Sequence, residues 1–345
     1  MLGEVASLLR AQGRFTEALP ALRAGLQMEE DAKRWDNAAI GASNLSQAEL
    51  LIGEVAVAVA TAETSVAHAD RSGDEFFFLC NRATHADALH AAGQLGEATQ
   101  TFADAESRQK QWKPTFPLLD SGQGYDYCDL LLTKGEYAAA RDRAEKILDA
   151  EVEQDSLLDR ALVRLALGRA HLGLVLATTG VQQPPASAYD GARTARAHLG
   201  EAVDGLRASG NNDELPRSLL ARAAFRRSVG DWDGAARDLD EVEEIAEPGP
   251  MRLFLCDMTL ERARLAFAHR ETFAPLNGLI DDSPPKPERP GEAERKALHD
   301  EAAKELATAA DYIKTCGYHR RDEELAELQA VLRGDRTFAG LRPRV

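Results

Sequence analysis

A six-residue phrase that recurs along this 345-residue chain constrains its fold more than any other feature. The phrase begins with glycine, has a bulky side chain two positions later and has an alanine five positions later. Its copies are GRFTEA from Gly13, GEVAVA from Gly53, GQLGEA from Gly93, GEYAAA from Gly135 and GDWDGA from Gly230. From Gly13 to Gly53 and from Gly53 to Gly93 is 40 residues, and from Gly93 to Gly135 is 42. A period in this range indicates stacked supersecondary units.

Each copy lies between two amphipathic runs of helical length. The glycine can end the first helix in a left-handed conformation, the bulky residue fills the junction, and the alanine lets two helices approach closely. Aromatic residues make up only 6% of the chain, and no run of β-branched residues alternates as a strand requires. The sequence therefore predicts an all-α protein built of helical hairpins, each with a helix A, a turn and a helix B.

The glycine, aromatic and alanine spacing on paired helices resembles the tetratricopeptide repeat, whose consensus places Gly, Tyr, Ala and Phe at these offsets. The resemblance covers nearly the whole chain and implies a right-handed α-solenoid that forms a single domain over residues 1–345. About seven hairpins are predicted, at about residues 2–30, 31–70, 75–110, 118–149, 156–209, 213–247 and 251–316. A solenoid needs a polar end cap, and residues 322–333 are predicted to form a capping helix.

Two hairpins are interrupted. Pro184 and Pro185 cannot continue a helix, so a longer loop is expected between helices A and B of the fifth hairpin. In the seventh hairpin several prolines fall among charged residues, and this composition predicts a mobile loop at about residues 272–291.

The 40-residue unit is longer than the commonest tetratricopeptide repeat and resembles the C-terminal arrays of bacterial STAND-type signalling NTPases, including those with NACHT or NB-ARC cores. The phrases GQGYDYCDLLLTKGEYAAA, LGRAHLGL and CGYHRRDEELAEL look like such arrays. The resemblance implies a sensor or interaction arm. Because the chain has no GxxxxGK[ST] phosphate loop, an NTPase or effector domain is expected in another chain or in a missing N-terminal part, since Met1 falls within an amphipathic run.

Charge and composition narrow the classes of partner. A formal net charge of −16 disfavours non-specific binding to nucleic acid or to an anionic membrane, because both need a basic face. No apolar stretch approaches the roughly 20 uncharged residues of a bilayer span. Four cysteines without a CxxC pair suit reduced thiols in a cytosol. We expect a cytoplasmic protein without nucleic-acid or membrane partners.

The sequence contains no recognisable catalytic or metal-binding motif. HExxH and GxSxG are both absent, and His85 and His90 are five residues apart, which places them on different faces of a helix. We therefore predict a protein that is not an enzyme, with no catalytic residues, no metal ligands and no cofactor.

Polar side chains are predicted on the concave face. Counting back from each turn glycine along helix A identifies candidate partner-binding residues, which are Ser43, Asn44, Gln47, Thr84, Asp87, Tyr125, Asp126, Asp129, Arg169, Arg217 and Arg227. Amide and hydroxyl groups can bond an extended backbone, and arginine can bind a carboxylate with paired donors. This set predicts a groove that recognises a protein or peptide, as tetratricopeptide grooves do. The plainer interpretation is that these are ordinary solvated residues on a curved surface.

Three further alternatives remain open from the sequence. The chain could be a regulator whose superhelix changes shape on binding a small ligand or a peptide, or a structural scaffold that associates with itself. In GYHRRDEE, His319, Arg320 and Arg321 follow a helix C-terminus, where cations offset the helix dipole. Binding of an anion or an acidic partner is the alternative interpretation of that segment.

Overall fold

The chain is all-helical in the part that its computed structural model describes, which is residues 2–150, 156–178, 186–280, 283–342 and 344–345. Helix accounts for 80% of it, and these residues contain no strand, so the all-α prediction is confirmed. The first eight helices are α1 (Leu2–Ala11), α2 (Phe15–Asp31), α3 (Trp35–Leu51), α4 (Val55–Ser72), α5 (Glu75–Ala91), α6 (Leu95–Trp112), α7 (Ser121–Lys134) and α8 (Tyr137–Asp149). The others are α9 (Leu157–Thr178), α10 (Ala186–Ser209), α11 (Leu215–Val229), α12 (Trp232–Ala246), α13 (Arg252–Glu271), α14 (Glu292–Cys316) and α15 (Asp322–Arg333).

Consecutive helices pack as antiparallel pairs. We number the pairs α1–α2 to α13–α14 as hairpins 1 to 7, with the odd-numbered helices as helix A and the even-numbered ones as helix B. Each helix B also packs on the next helix A, as α2 does on α3 and α4 does on α5. This arrangement is that of a helical repeat solenoid, in which each unit buries its apolar face against its neighbours.

The recurring phrase forms the turn of hairpins 1 to 4 and of hairpin 6. Gly53 and Gly230 have backbone φ angles of +89° and +87°, a region that side chains with a Cβ resist. The alanine of the phrase is buried in hairpins 1 to 4 and in hairpin 6, and Phe15 of the first copy is completely buried. The repeat therefore marks the close approach of helices A and B.

Helix α9 is the most apolar element. Among the described helices it alone is long and apolar enough, by length and composition, to cross a membrane. The search for apolar stretches in the sequence did not identify this helix. It has 22 residues, and 67% of its apolar window is buried inside the fold, between α8 and α10. Its apolar surface is thus used for packing within hairpin 5 and against hairpin 4. The loop predicted at Pro184 and Pro185 lies outside the described residues.

The segment between α13 and α14, predicted to be a mobile loop, is packed against the fold along part of its length. The side chains of Leu276, Leu279 and Ile280 are buried in the main hydrophobic core. The Leu276 backbone N–H donates to the Ser228 carbonyl oxygen at 2.9 Å, and the Asn277 amide donates to the Val229 carbonyl oxygen at 2.9 Å. These contacts hold residues 276–280 against the core and the end of α11, and mobility of the rest of the segment stays a prediction.

The turns of hairpins 1 to 4 lie against the C-terminal part of the chain, residues 213–345. The glycine of each turn is close to one residue from that part, and these pairs are Gly13 with Met251, Gly53 with Cys316, Gly93 with His319, and Gly135 with Arg342. In addition, the Asn212 backbone N–H donates to the Ala11 carbonyl oxygen at 2.8 Å. The array therefore curves until its end meets its beginning, and its concave side is enclosed.

Helix α15 coincides with the predicted capping helix but is not polar on all sides. Leu328 and Val331 are buried in a cluster that includes residues of α13 and α14. Glu324 in its first turn is 2% exposed and faces the interior. A carboxylate buried to this extent needs partners, and these partners belong to the site described next.

Candidate functional site: the central cavity

The enclosed side of the array surrounds a central cavity of about 110 Å³. Helix A of hairpins 2 to 7 contributes to its wall, together with residues 318–324 and the tail at residues 344–345. The charged residues in the wall are Asp87, Asp129, Arg169, Arg217, Asp257, Glu261, Arg264, Arg320, Arg321, Glu324 and Arg344. A cavity with this many charges inside a helical core is a candidate functional site, because buried charges are costly unless paired or used.

Asp129 on α7 is the most strongly paired carboxylate in the wall. Arg169 Nη1 lies 2.7 Å from its Oδ1, and Arg320 Nη1 lies 2.6 Å from its Oδ2. Burial by itself would raise the pKa of Asp129, but Arg320 and Arg169 outweigh it and hold the pKa well below its usual range. Asp129 is therefore ionised, and it joins hairpin 4 to hairpin 5 and to the segment that precedes α15.

A second set of ion pairs joins α13 to α15. Arg321 donates to both oxygens of Asp257, at 2.7 and 2.8 Å, and its Nη1 donates to Glu324 at 3.0 Å. Arg264 pairs with the other Glu324 oxygen at 2.7 Å. Burial opposes the charge of Glu324, yet Arg264 and Arg321 lower its pKa to about 2. Each charge in this set has an opposite charge within contact distance.

Tyr125, Asp87 and Asp126 form the acidic side of the cavity, next to Arg217. The Tyr125 hydroxyl accepts a hydrogen bond from Arg169 at 3.1 Å, and the Arg217 guanidinium lies 5.7 Å from the Tyr125 ring. Arg217 itself pairs with Glu214 at 2.7 Å. Asp87 and Asp126 have no hydrogen bond or ion pair with any described residue, and burial raises the pKa of both carboxyls.

The C-terminal tail enters the same cavity. Arg169 donates from Nε and Nη2 to the backbone oxygen of Val345, at 3.2 and 2.9 Å. Arg344 pairs with Glu323 and Glu327 of α15, and Arg342 donates to the Lys134 carbonyl oxygen at 2.6 Å. The tail therefore crosses from α15 to the turn of hairpin 4, and an inner-face arginine holds its backbone.

Some of the candidate groove residues lie away from the cavity. The Ser43 and Thr84 hydroxyls hydrogen-bond to each other at 2.8 Å and link α3 to α5. Asn44 and Gln47 accept hydrogen bonds from Arg10, at 3.2 and 2.8 Å. These four residues use their polar groups to join neighbouring helices.

Arg227 is placed beside the cavity wall by its partner Glu261, at 2.6 Å. Asp87, Tyr125, Asp129, Arg169 and Arg217 line the cavity, and Asp126 interacts electrostatically with Asp87. Six of the eleven candidates are thus brought together at the cavity, counting Asp126 with the five that line it.

Sequence reasoning missed the residues supplied by the C-terminal part and one histidine. The interpretation of Arg320 and Arg321 favoured from the sequence was an effect on the dipole of the preceding helix, but their guanidiniums bind the carboxylates of Asp129 and Asp257, 191 and 64 residues away in the chain. His90 on α5 is completely buried beside Asp129, with 3.8 Å between its Nδ1 and Asp129 Oδ2. The spacing Asp87-x-x-His90, which puts both side chains on one face of a helix, was an available signal.

Among the described residues that line the cavity there is no cysteine, and the thiols elsewhere in the described chain are not activated. Burial raises the pKa of the Cys128 thiol to about 12 and that of Cys80 to about 12, and it also raises that of Cys256. A thiol is reactive as its thiolate, so these cysteines are inert packing residues at neutral pH. The cavity region therefore contains arginines that bind carboxylates and a main-chain oxygen. It also contains two carboxylates, Asp87 and Asp126, without a hydrogen bond or ion pair among the described residues.

Neither a protein-family model nor a curated protein matches this chain.

Proposed function

We propose that this chain is a non-catalytic interaction module that recognises an extended segment of another protein on the inner face of its helix array. We further propose that its hairpins form a right-handed, tetratricopeptide-like solenoid of about seven units, working in bacterial signalling in the cytoplasm beside an NTPase or effector domain. Recognition by such a surface needs no cofactor, nucleic acid or membrane.

The main observation in support of this proposal is that Arg169 donates two hydrogen bonds to the backbone oxygen of Val345. Arg169 here binds the main-chain oxygen of the last residue of the sequence, an acceptor that a peptide carbonyl or a terminal carboxylate would equally supply, while Tyr125 and Asp129 hold the guanidinium in place. The tail residues thus occupy the position that a partner segment would take. A partner would have to displace the tail, so the chain's own tail would compete at high effective concentration.

The central cavity also favours a second candidate, a regulator gated by a small ligand. The cavity is enclosed by helix A of hairpins 2 to 7 and by the C-terminal segments, so a ligand bound there would contact the segments that close it. Ligand-induced compaction or opening, measured by small-angle scattering, would favour this function over a static recognition surface. The self-assembly scaffold has no comparable observation in its favour.

The recognition proposal can be tested with full-length variants and a random peptide library. In the combined Arg342→Ala and Arg344→Ala variant the tail loses its contacts with Lys134, Glu323 and Glu327 but Arg169 is retained. We expect this variant to select peptides that bind wild type at least about tenfold more weakly, because the tail no longer competes.

Adding Arg169→Met to that variant should abolish binding of the selected peptides, and the exposed Arg336→Ala substitution in wild type serves as the control for charge loss. Selection of no peptide, or affinities that do not depend on Arg169, would contradict recognition on the inner face. Circular dichroism checks that all variants keep their helix content.

A further inference from the structure

His90 is buried without a hydrogen-bond partner. It is 0% exposed, and neither ring nitrogen has a hydrogen-bond partner among the residues that the structure describes. A buried polar group left unpaired costs about 1–3 kcal/mol, so such a group in a native fold requires an explanation. Burial and the nearby Arg320 hold the pKa of His90 well below its usual range. The ring is therefore neutral, with one nitrogen lone pair available.

Two carboxylates lie next to this imidazole. Donor atoms of Asp87, His90 and Asp129 all lie within 4.8 Å of one another. Asp87 and His90 come from adjacent turns of α5, and Asp129 comes from α7. Their convergence depends on the packing of α5 against α7 in neighbouring hairpins.

Asp129 retains a free acceptor position on the side of His90. Its Oδ1 is bound by Arg169 at 2.7 Å and by Arg320 at 3.0 Å, whereas Oδ2 is bound by Arg320 alone. Since a carboxylate oxygen has two lone pairs, one position on Oδ2 remains. Oδ2 is 3.8 Å from His90 Nδ1. Metal bonds of about 2.0–2.2 Å to nitrogen and oxygen can span that separation.

The local charges also leave room for a cation. Arg169 and Arg320 are both committed to Asp129, and Arg217 is paired with Glu214. Asp87 has no hydrogen bond or ion pair in the described part of the chain. Asp126, likewise without a hydrogen bond or ion pair among the described residues, interacts electrostatically with Asp87. A bound cation would stabilise the ionised form of these two half-buried carboxylates.

We propose that Asp87, His90 and Asp129 form a binding site for a divalent transition-metal ion, with water from the central cavity completing the coordination. One imidazole with two carboxylates favours an ion such as Zn²⁺ over Mg²⁺ or Ca²⁺, which prefer oxygen ligands alone. Arg169 and Arg320 act as positioning residues, because a ligating carboxylate is commonly oriented by hydrogen bonds from a second layer of groups. The site does not depend on peptide recognition.

The test uses the full-length, tag-free chain, treated with a chelator and dialysed. Isothermal titration with Zn²⁺ should give one high-affinity site per chain, and bound metal measured by mass spectrometry should agree. We expect His90→Asn and Asp87→Asn each to weaken Zn²⁺ binding at least about tenfold. His85→Asn, on the same helix outside the cluster, should leave the affinity unchanged.

Co²⁺ gives an independent readout, since imidazole and carboxylate ligation produces visible absorption bands that should disappear in the His90 variant. Because His90→Asn alters a fully buried position and could impair folding, Asp87→Asn with wild-type circular dichroism keeps the test decisive. Absence of saturable Zn²⁺ binding to the wild type, equal affinity in the Asp87 variant, or tighter binding of Mg²⁺ than of Zn²⁺ would each overturn the site.

Discussion

Hairpins 1 to 4 and the C-terminal part of the chain, residues 213–345, use the same helical unit in different ways. The first four hairpins repeat at nearly constant spacing, and their glycine turns form one regular edge. The C-terminal part includes two longer helices, of 20 residues in α13 and 25 in α14, and a loop between them that is packed along part of its length. It also supplies Arg320, Arg321 and Glu324. The regular part builds a curved wall, and the irregular part closes it and determines which charges meet inside.

The test with the largest expected effect removes the ion pair between Asp129 on α7 and Arg320 in the C-terminal part. Asp129→Asn removes the charge that Arg169 and Arg320 bind, and leaves two buried guanidiniums uncompensated. Removing one partner of a buried ion pair costs about 3–5 kcal/mol. Chemical denaturation should show a loss of this order in the free energy of unfolding.

The matched control is Asp126→Asn, three residues earlier on α7. Asp126 has no ion pair with a described residue and its pKa is raised by burial, so the neutral side chain is tolerated, and we expect a change of about 1 kcal/mol or less. Equal losses in the two variants would contradict the special role of the contact between the two parts.

The second test uses pH on the ion pairs within the C-terminal part. The pKa of Glu324 is lowered from its ordinary 4.5 to about 2. A lowered carboxyl pKa contributes stability that is fully present above about pH 4.5 and is lost as the pH falls toward 2, here roughly 3 kcal/mol in all. The stability difference between wild type and Glu324→Gln should therefore be largest at neutral pH and shrink across that window.

Urea unfolding at a series of pH values measures this difference, with the exposed Glu244→Gln substitution on α12 as the control for loss of one charge. A gap between wild type and Glu324→Gln that stays constant down to pH 3 would show that the carboxylate of Glu324 does not stabilise the closed form through its charge.

The test with the smallest expected effect compares alanine substitutions at two glycines with positive φ angles, Gly53 and Gly73. Gly53 has a φ of +89°, and a Cβ there would come within 2.5 Å of Cys316 Sγ in the C-terminal part. Gly73 has a φ of +71° with open space around it. Gly73→Ala should cost about 1 kcal/mol from backbone strain alone. Gly53→Ala should cost about 1–2 kcal/mol more because it also pushes against α14.

Thermal or urea unfolding of the two alanine variants measures the difference. If both cost the same, the turn of hairpin 2 does not press on α14, and closure of the array is looser than the packing of Gly53 indicates.

The cavity residues show which features a local sequence pattern can predict and which it cannot. Counting from turn glycines placed Tyr125, Asp129, Arg169 and Arg217 on helix A, and the structure places them in the wall of one cavity. The same counting could not show that Asp129 meets Arg320, because nothing local relates residues 191 positions apart. His90 was set aside because it was compared with His85, whereas its neighbours are Asp87 on its own helix and Asp129 on another.

The sequence by itself determined the helices and their pairing in hairpins. Glycine turns, small alanines and amphipathic periodicity act over a few residues, so the 40-residue repeat carries this information wherever it occurs. Only the tertiary structure decided that the array closes on itself, that its tail reaches Arg169, and that the arginines before α15 bind carboxylates from earlier hairpins. These contacts depend on curvature accumulated over all the hairpins, and small changes in each packing angle add up to the position of the last.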